Sequence, residues 1–261
     1  MSDVHETATG FGVEGVAAQY EAARPDYEAS VVERMVTALG LGPGRRVADV
    51  GAGTGKLTRV LLATGADVVA VEPMAGMREQ LARSVPDARL EVVDGTAEAL
   101  GLPDASLDAV TAAQAFHWFD GPAALREFHR VLRPGGHLAV IFNRRDLSAP
   151  VQAALDHLLL PHRGDTPSWA RHDWVDWLTE TPHFGAPTMV TAPWVQNLDV
   201  EGLVARVASV SFVARLDDQT RARVLAAVRD LYQRSSKDAA GRVALNYSTE
   251  LWVLPRRGET T

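Results

Sequence analysis

A chain of 261 residues with 46% hydrophobic content is long enough for one α/β domain with a sizeable core and insertions. It has no cysteine, which excludes disulfides, thiolate metal sites and cysteine nucleophiles, and a formal net charge of -7 removes any general electrostatic attraction to nucleic acid. The polar, acidic start from Met1 to Gly12 lacks the apolar centre of a signal peptide, and no apolar run approaches a membrane span, so a soluble, cytoplasmic protein of small-molecule chemistry is expected.

Residues 1–12 read as a flexible tail and 13–261 as a single domain. Val16, Ala17, Gln19 and Tyr20 begin a helical stretch that stops near Arg24-Pro25. Tyr20 and Arg24 stand one turn apart, so a phenol and a guanidinium share a helix face, an arrangement suited to a carboxylate and equally to an ordinary surface helix. Ser30–Leu39 carries an apolar stripe of Val31, Val32, Met35, Val36 and Leu39, and ends at Gly40–Gly44.

The stretch Val47-Ala48-Asp49-Val50-Gly51-Ala52-Gly53-Thr54-Gly55-Lys56-Leu57 then organises the rest. An apolar run ending in alternating glycines and resuming with helical spacing predicts strand, tight turn and helix. Such a turn lets backbone approach a nucleotide-like ligand closely. A phosphate loop of the Walker type needs a glycine where Val50 stands and a Ser or Thr where Leu57 stands, so that reading fails. A dinucleotide fingerprint needs a small residue where Lys56 stands, which disfavours NAD. An adenosine-containing ligand without phosphate remains.

Asp67–Val71 is a second strand ending in Glu72, about 20 residues beyond Gly51, an interval at which a carboxylate can accept both ribose hydroxyls. Pro73 and Met74 offer an apolar rim for an adenine face, or a helix start with Met77 and Leu81 in the core. Leu90–Val93 is a third strand, followed by the turn Asp94–Glu98; Leu107–Ala112 is a fourth, opening into Gln114-Ala115-Phe116-His117-Trp118-Phe119. Asp120-Gly121-Pro122 caps a helix Ala123–Leu132, which ends at Arg133-Pro134-Gly135-Gly136, and His137–Phe142 is the fifth strand. Alternating strands and helices predict right-handed crossovers and a parallel, doubly wound α/β sheet. The glycine loop, Glu72, Thr96, Gln114 and Asn143 all fall at carboxyl ends of strands, where such sheets hold ligands. Beyond Asn143-Arg144-Arg145 the alternation breaks, and 147–183, rich in Trp, His and Pro, reads as an inserted lid. Met189–Trp194 suggests a strand, Val200–Phe212 and Gln219–Tyr232 helices, and Val243–Leu254 a final strand. No metal-ligand cluster is evident.

From Tyr20 to Phe142 these motifs, in this order, resemble the class I S-adenosyl-L-methionine (SAM) methyltransferases. Tyr20, Arg24-Pro25 and Tyr27, with Gln114–Phe119 and the tail Asp199–Val253, resemble the subfamily that includes trans-aconitate methyltransferase. The resemblance implies a doubly wound, mostly parallel, seven-stranded Rossmann-like sheet, its sixth and seventh strands paired antiparallel, with a lid inserted after the fifth strand. It implies SAM as cofactor, contacted by Tyr20, Arg24, Gly51, Ala52, Gly53, Glu72, Pro73, Met74, Thr96, Ala97 and Gln114. The family often has a carboxylate where this chain has Thr96; Asp94, two residues earlier, is the alternative contact to the adenine amine. His117 is the candidate catalytic base, since imidazole titrates near neutrality, with a pocket-shaping role for His117 and Trp118 as the competing reading. Trp118, Asn143, Trp169 and His172 are candidate acceptor-binding residues. The expected reaction is methyl transfer to a small-molecule acceptor, a carboxylate or another oxygen nucleophile, with no nucleic-acid or membrane partner. Non-methylating SAM chemistry (cyclisation or aminocarboxypropyl transfer) and non-catalytic SAM binding are the alternatives, separable by product analysis and by absence of turnover.

Overall fold

The computed structural model describes residues 24–166 and 173–258. Its elements in chain order are α1 (Ala29–Leu39), β1 (Arg46–Val50), α2 (Lys56–Ala63), β2 (Asp67–Val71), α3 (Ala75–Ser84), β3 (Leu90–Val93), β4 (Leu107–Ala113), α4 (Gly121–Val131), β5 (Leu132–Arg145), α5 (Pro150–Leu159), α6 (Asp173–Glu180), β6 (Thr188–Leu198), α7 (Val200–Ala208), α8 (Ser211–Ala214), α9 (Asp218–Arg234) and β7 (Val243–Pro255). Among the described residues no helix is long and apolar enough to cross a membrane.

The sheet has seven strands in the order β3-β2-β1-β4-β5-β7-β6. β1 pairs parallel with β2 and β4, β2 with β3, and β4 with β5. β5 and β7 run antiparallel: the Asp146 amide donates to the Asn246 carbonyl at 3.0 Å and the Arg256 amide to the Gly136 carbonyl at 2.9 Å. β1 and β2 are buried along almost their whole length, as parallel strands covered on both faces must be, which is why Val47–Val50 and Val68–Val71 carry no polar alternation apart from Asp49. The order changes direction at β1: the chain first adds β2 and β3 on one side, then crosses to β4 on the other. Ligands of such open parallel sheets bind beyond the carboxyl ends of the strands at this switch point, here those of β1 and β4.

Three of the boundaries that differ from expectation have a visible local cause. Helix α4 starts at Gly121 because the Asp120 side chain accepts from the Ala123 amide at 3.1 Å and Pro122 occupies the first turn. β5 already begins at Leu132, paired with Leu107, and Arg133–Gly136 is taken up by a register shift rather than forming a loop outside the strand. The stretch Val200–Phe212 is two helices, since Val210 turns extended (φ -73°, ψ 130°) between α7 and α8.

The chain forms two compact units. In the first (24–28, 143–166 and 192–249), α5, α7 and α9 pack Leu155, Leu203, Val207, Val224 and Val228 with Leu245 and Tyr247 of β7. The stripe of α9 recurs every fourth residue, Val224, Val228 and Tyr232, and Asp217 caps its start by accepting from the Thr220 amide at 2.9 Å. In the second (29–142, 173–191 and 250–258), Val50, Val71, Val110, Phe116, Phe128 and Phe142 form the core. The expected insert divides between them: 147–166 belongs to the first unit and 173–183 to the second. There Trp174 of α6 is a core residue, 4% exposed, with its ring 4.8 Å from that of Phe142 and 6.1 Å from that of Trp252.

Candidate active site

In the second unit the loop after β1 is tied to the loop after β2. The Gly51 and Ala52 amides both donate to the Val71 carbonyl, at 2.8 and 3.2 Å. Glu72, 6% exposed, completes the tie: its Oε2 accepts from the Gly53 amide at 2.9 Å and its Oε1 from the Met74 amide at 3.0 Å. Burial pushes the Glu72 carboxyl above the usual range, while the Gly53 and Met74 amides hold it down. Arg78 braces the same corner, donating to the Glu72 carbonyl at 2.8 Å and to Asp94 at 2.9 Å. Asp94 is thus engaged in an ion pair with Arg78 while its own side chain stays largely exposed.

Two glycines do distinct work. Gly51 (φ +69°) lies so close to the loop after β4 that a Cβ there would stand 2.7 Å from the Ala115 Cβ. Gly53 (φ +58°) is the opposite case, because a Cβ there would meet nothing within 4 Å and would fill open space beside Glu72. Facing them, Gln114 follows β4 with φ +56°, a left-handed conformation that a non-glycine residue adopts at a cost of about 1 kcal/mol or more, and its amide donates to the Ile141 carbonyl at 2.9 Å. Strain of this kind gathers at functional turns, and nothing in the local sequence announced it.

Beneath the loop lies a buried polar cluster that the sequence reading passed over. Asp49, 1% exposed, accepts from the Thr58 hydroxyl of α2 at 2.7 Å and from the Thr111 hydroxyl of β4 at 3.2 Å. Burial pushes its carboxyl up to about 6, against the lowering effect of both threonines. An aspartate within the apolar run Val47–Val50, two residues before Gly51, was the available signal.

Thr96 and Ala97 sit in a tight reversal in which Thr96 bridges Ala99, and Ala97 is 3% exposed. Glu98 ties this turn to α4 by accepting from the Asp120 amide at 2.9 Å. His117 lies in a single 3-10 turn, Phe116–Trp118, with its ring 5.3 Å from that of Trp118 and 5.6 Å from that of Phe142. The second unit therefore contains Gly51, Ala52, Gly53, Glu72, Pro73, Met74, Thr96, Ala97, Gln114, His117 and Trp118. In the first unit, Arg24 donates to the Ser209 carbonyl at 3.0 Å. Asn143 there donates to the Asp26 carbonyl at 2.8 Å and accepts from the Thr249 hydroxyl at 2.6 Å and the Trp194 indole at 3.4 Å. Tyr20, Trp169 and His172 lie outside the described residues.

Residues 48–140 match the family described as "Methyltransferase domain". Over 215 residues, 82% of this chain and 83% of the other, the protein is 31% identical to an uncharacterized methyltransferase-like protein of Schizosaccharomyces pombe. The chain belongs to the class I SAM-dependent methyltransferases. An uncharacterized methyltransferase of Mycobacterium tuberculosis is 36% identical over 81% of this methyltransferase and 82% of its own length. A solved structure assigned as a type II methyltransferase of Anaeromyxobacter dehalogenans superposes with a TM-score of 0.61 at 26% identity, covering 90% of this methyltransferase and 97% of that chain. SAM is its cofactor, and the second unit suits it: open space at Gly53, a buried carboxylate beside that space, and Gln114 and Ala115 on the facing loop.

Proposed function

We propose that this methyltransferase acts on a compact polar small molecule and methylates a carboxylate or another oxygen nucleophile. The observation that carries the reading is the close approach of the loops after β1 and β4 at Gly51 and Ala115, with Glu72 on one side and Gln114 to His117 on the other. When bound, SAM supplies an electrophilic methyl carbon. Gly51, Ala52 and Gly53 would receive its methionine portion. Glu72 would hold the ribose hydroxyls, since an ionised carboxylate has about four acceptor sites and backbone amides use two of them here. Pro73, Met74, Thr96 and Ala97 would border the adenine, and Tyr20, Arg24 and Gln114 complete the proposed cofactor set.

A carboxylate acceptor carries its nucleophilic lone pairs already, so the chain need only orient it. Alignment alone supplies up to about 7–11 kcal/mol in effective-molarity terms. A hydroxyl acceptor needs its proton taken, and His117 is the group for it, with Trp118 and Phe142 beside the ring to keep water away. Trp118, Asn143, Trp169 and His172 are the proposed acceptor contacts. The likeness of Gln114–Phe119 to the trans-aconitate methyltransferase subfamily supports a carboxylate. The test is a panel of small acids, phenols and amines with methyl-labelled SAM. Label on a small acid or alcohol is expected; label confined to protein, RNA or DNA overturns the proposal.

A further inference from the structure

Among the described residues, the first unit holds Arg206 and Arg145 largely out of solvent with a single carboxylate, Asp156, paired to Arg145. Arg206, in the last turn of α7, is 6% exposed; its Nε donates to the Tyr247 hydroxyl at 3.3 Å, and its Nη1 is buried with no hydrogen-bond partner among the described residues. Among those residues it also forms no ion pair. Arg145, at the end of β5, reaches Asp156 only at 3.7 Å, and Arg163 approaches that same oxygen more closely, at 3.3 Å. Burial pushes the Arg145 guanidinium down to about 10, and the like charges of Arg206 and Arg24 push it the same way, against Tyr247 and Asp156. At about 10 the Arg145 guanidinium still stays protonated at neutral pH. The carboxyl end of α7 offers only a fraction of a negative charge, and Arg24 already donates there, to the Ser209 carbonyl at 3.0 Å.

Buried cations with unmade donors are disfavoured by folding, and an oxyanion relieves both the charge and the missing bonds. We propose that Arg206 and Arg145, with Tyr247, form a binding site for a compact oxyanion, a carboxylate or a phosphate, within the first unit. Tyr247 is part of the device. Its ring stacks on Trp194 with centroids 5.1 Å apart and planes at 21°, which fixes the phenol. Because its oxygen accepts from Arg206 Nε, the phenolic proton remains to be donated to the same anion. The guanidiniums supply forked donors that match two oxygens of one oxyanion.

Arg145, Arg206 and Tyr247 belong to the first unit, the glycine loop and Glu72 to the second, and the test addresses the first alone. The full chain is titrated by calorimetry with citrate and with inorganic phosphate, each against sodium chloride at matched ionic strength. Saturable binding of at least one probe above the chloride control is expected, weakened tenfold or more in Arg206→Gln and Arg145→Gln. Citrate alone identifies a carboxylate site, and phosphate alone a phosphate site. Cooperative thermal unfolding checks that each variant is folded; if a glutamine variant is not, Arg206→Lys and Arg145→Lys keep the charge but lose the fork, and should bind several-fold more weakly than wild type. No saturable binding of either probe by the wild type, or equal affinity in the folded variants, overturns the proposal.

Discussion

Removing the Glu72 carboxylate should weaken the cofactor and loosen the loop that receives it, and the two effects can be measured apart. In the ligand-free chain, Glu72→Ala deprives the Gly53 and Met74 amides of their acceptors. Both residues are half-buried, so water recovers part of the loss, and about 1 kcal/mol each, or about 2 kcal/mol in all, is the expected destabilisation. Relief of the buried carboxylate's desolvation works in the opposite direction, so this figure is an upper bound. If the carboxylate also accepts two ribose hydroxyls, their loss costs about 2–3 kcal/mol in binding, a Kd raised about 30- to 160-fold. Glu72→Gln keeps one acceptor oxygen and should fall between. Calorimetry with S-adenosylhomocysteine gives the affinity, urea denaturation the stability, and a 2′-deoxy analogue closes a double-mutant cycle. The coupling between Glu72 and the 2′-hydroxyl should reach about 1–2 kcal/mol. Zero coupling, with the affinity loss explained by stability alone, would reduce Glu72 to a staple for the glycine loop and refute its ribose role.

Asp49 has a folded-state value of about 6 against an ordinary 3.8, so the folded chain holds this proton more tightly than the unfolded one. Its stabilising contribution is full below about pH 4 and is lost as pH rises through about 6, a swing of about 3 kcal/mol. Asp49→Asn should therefore gain stability relative to wild type between pH 4.5 and 7.5; parallel denaturation profiles for the two proteins across that range would contradict the burial argument. Gly51→Ala joins a left-handed φ to a 2.7 Å contact between two backbone-anchored Cβ atoms, and should lower stability by about 2–4 kcal/mol in urea melts. Gly53→Ala, with nothing within 4 Å, should cost only about 1–2 kcal/mol in stability yet bind S-adenosylhomocysteine about tenfold or more weakly; wild-type affinity would show that this space is not used. His117→Asn should leave S-adenosylhomocysteine affinity near wild type. It should reduce kcat at least about 100-fold with a hydroxyl acceptor and much less with a carboxylate; equal loss with both would assign His117 to pocket shape instead of proton transfer.

The parts of this protein written in local pattern were legible in the chain. The runs Val47–Val50 and Asp67–Val71 are apolar because both faces of a parallel strand are covered, and they appear as β1 and β2 within a residue of where they were expected. Glycines at alternate positions mark a turn whatever surrounds it, and Glu72 stands out through its interval from Gly51. Boundaries were less legible where tertiary pairing overrides local preference: Leu132 joins β5 because Leu107 pairs with it, although Arg133-Pro134-Gly135-Gly136 reads as a loop. Trp174 reads as part of an inserted lid until Phe142 and Trp252 pack against it in the core.

What only the tertiary structure decided is how the charges are held. The two oxygens of Glu72 on the Gly53 and Met74 amides, Arg78 spanning Glu72 and Asp94, and Asp49 between Thr58 and Thr111 join elements that periodicity treats separately. Arg206 and Tyr247 are unremarkable letters until α7 and β7 bring them to Arg145 of β5. A period of two or of 3.6 residues reports which face of an element is apolar, because that depends on neighbours a few positions away. Desolvation and Coulomb energy depend on every group within several ångströms, whatever its sequence distance, so a buried carboxyl with its pKa raised to about 6, or a buried guanidinium nitrogen with no partner among the described residues, exists only once the chain has folded.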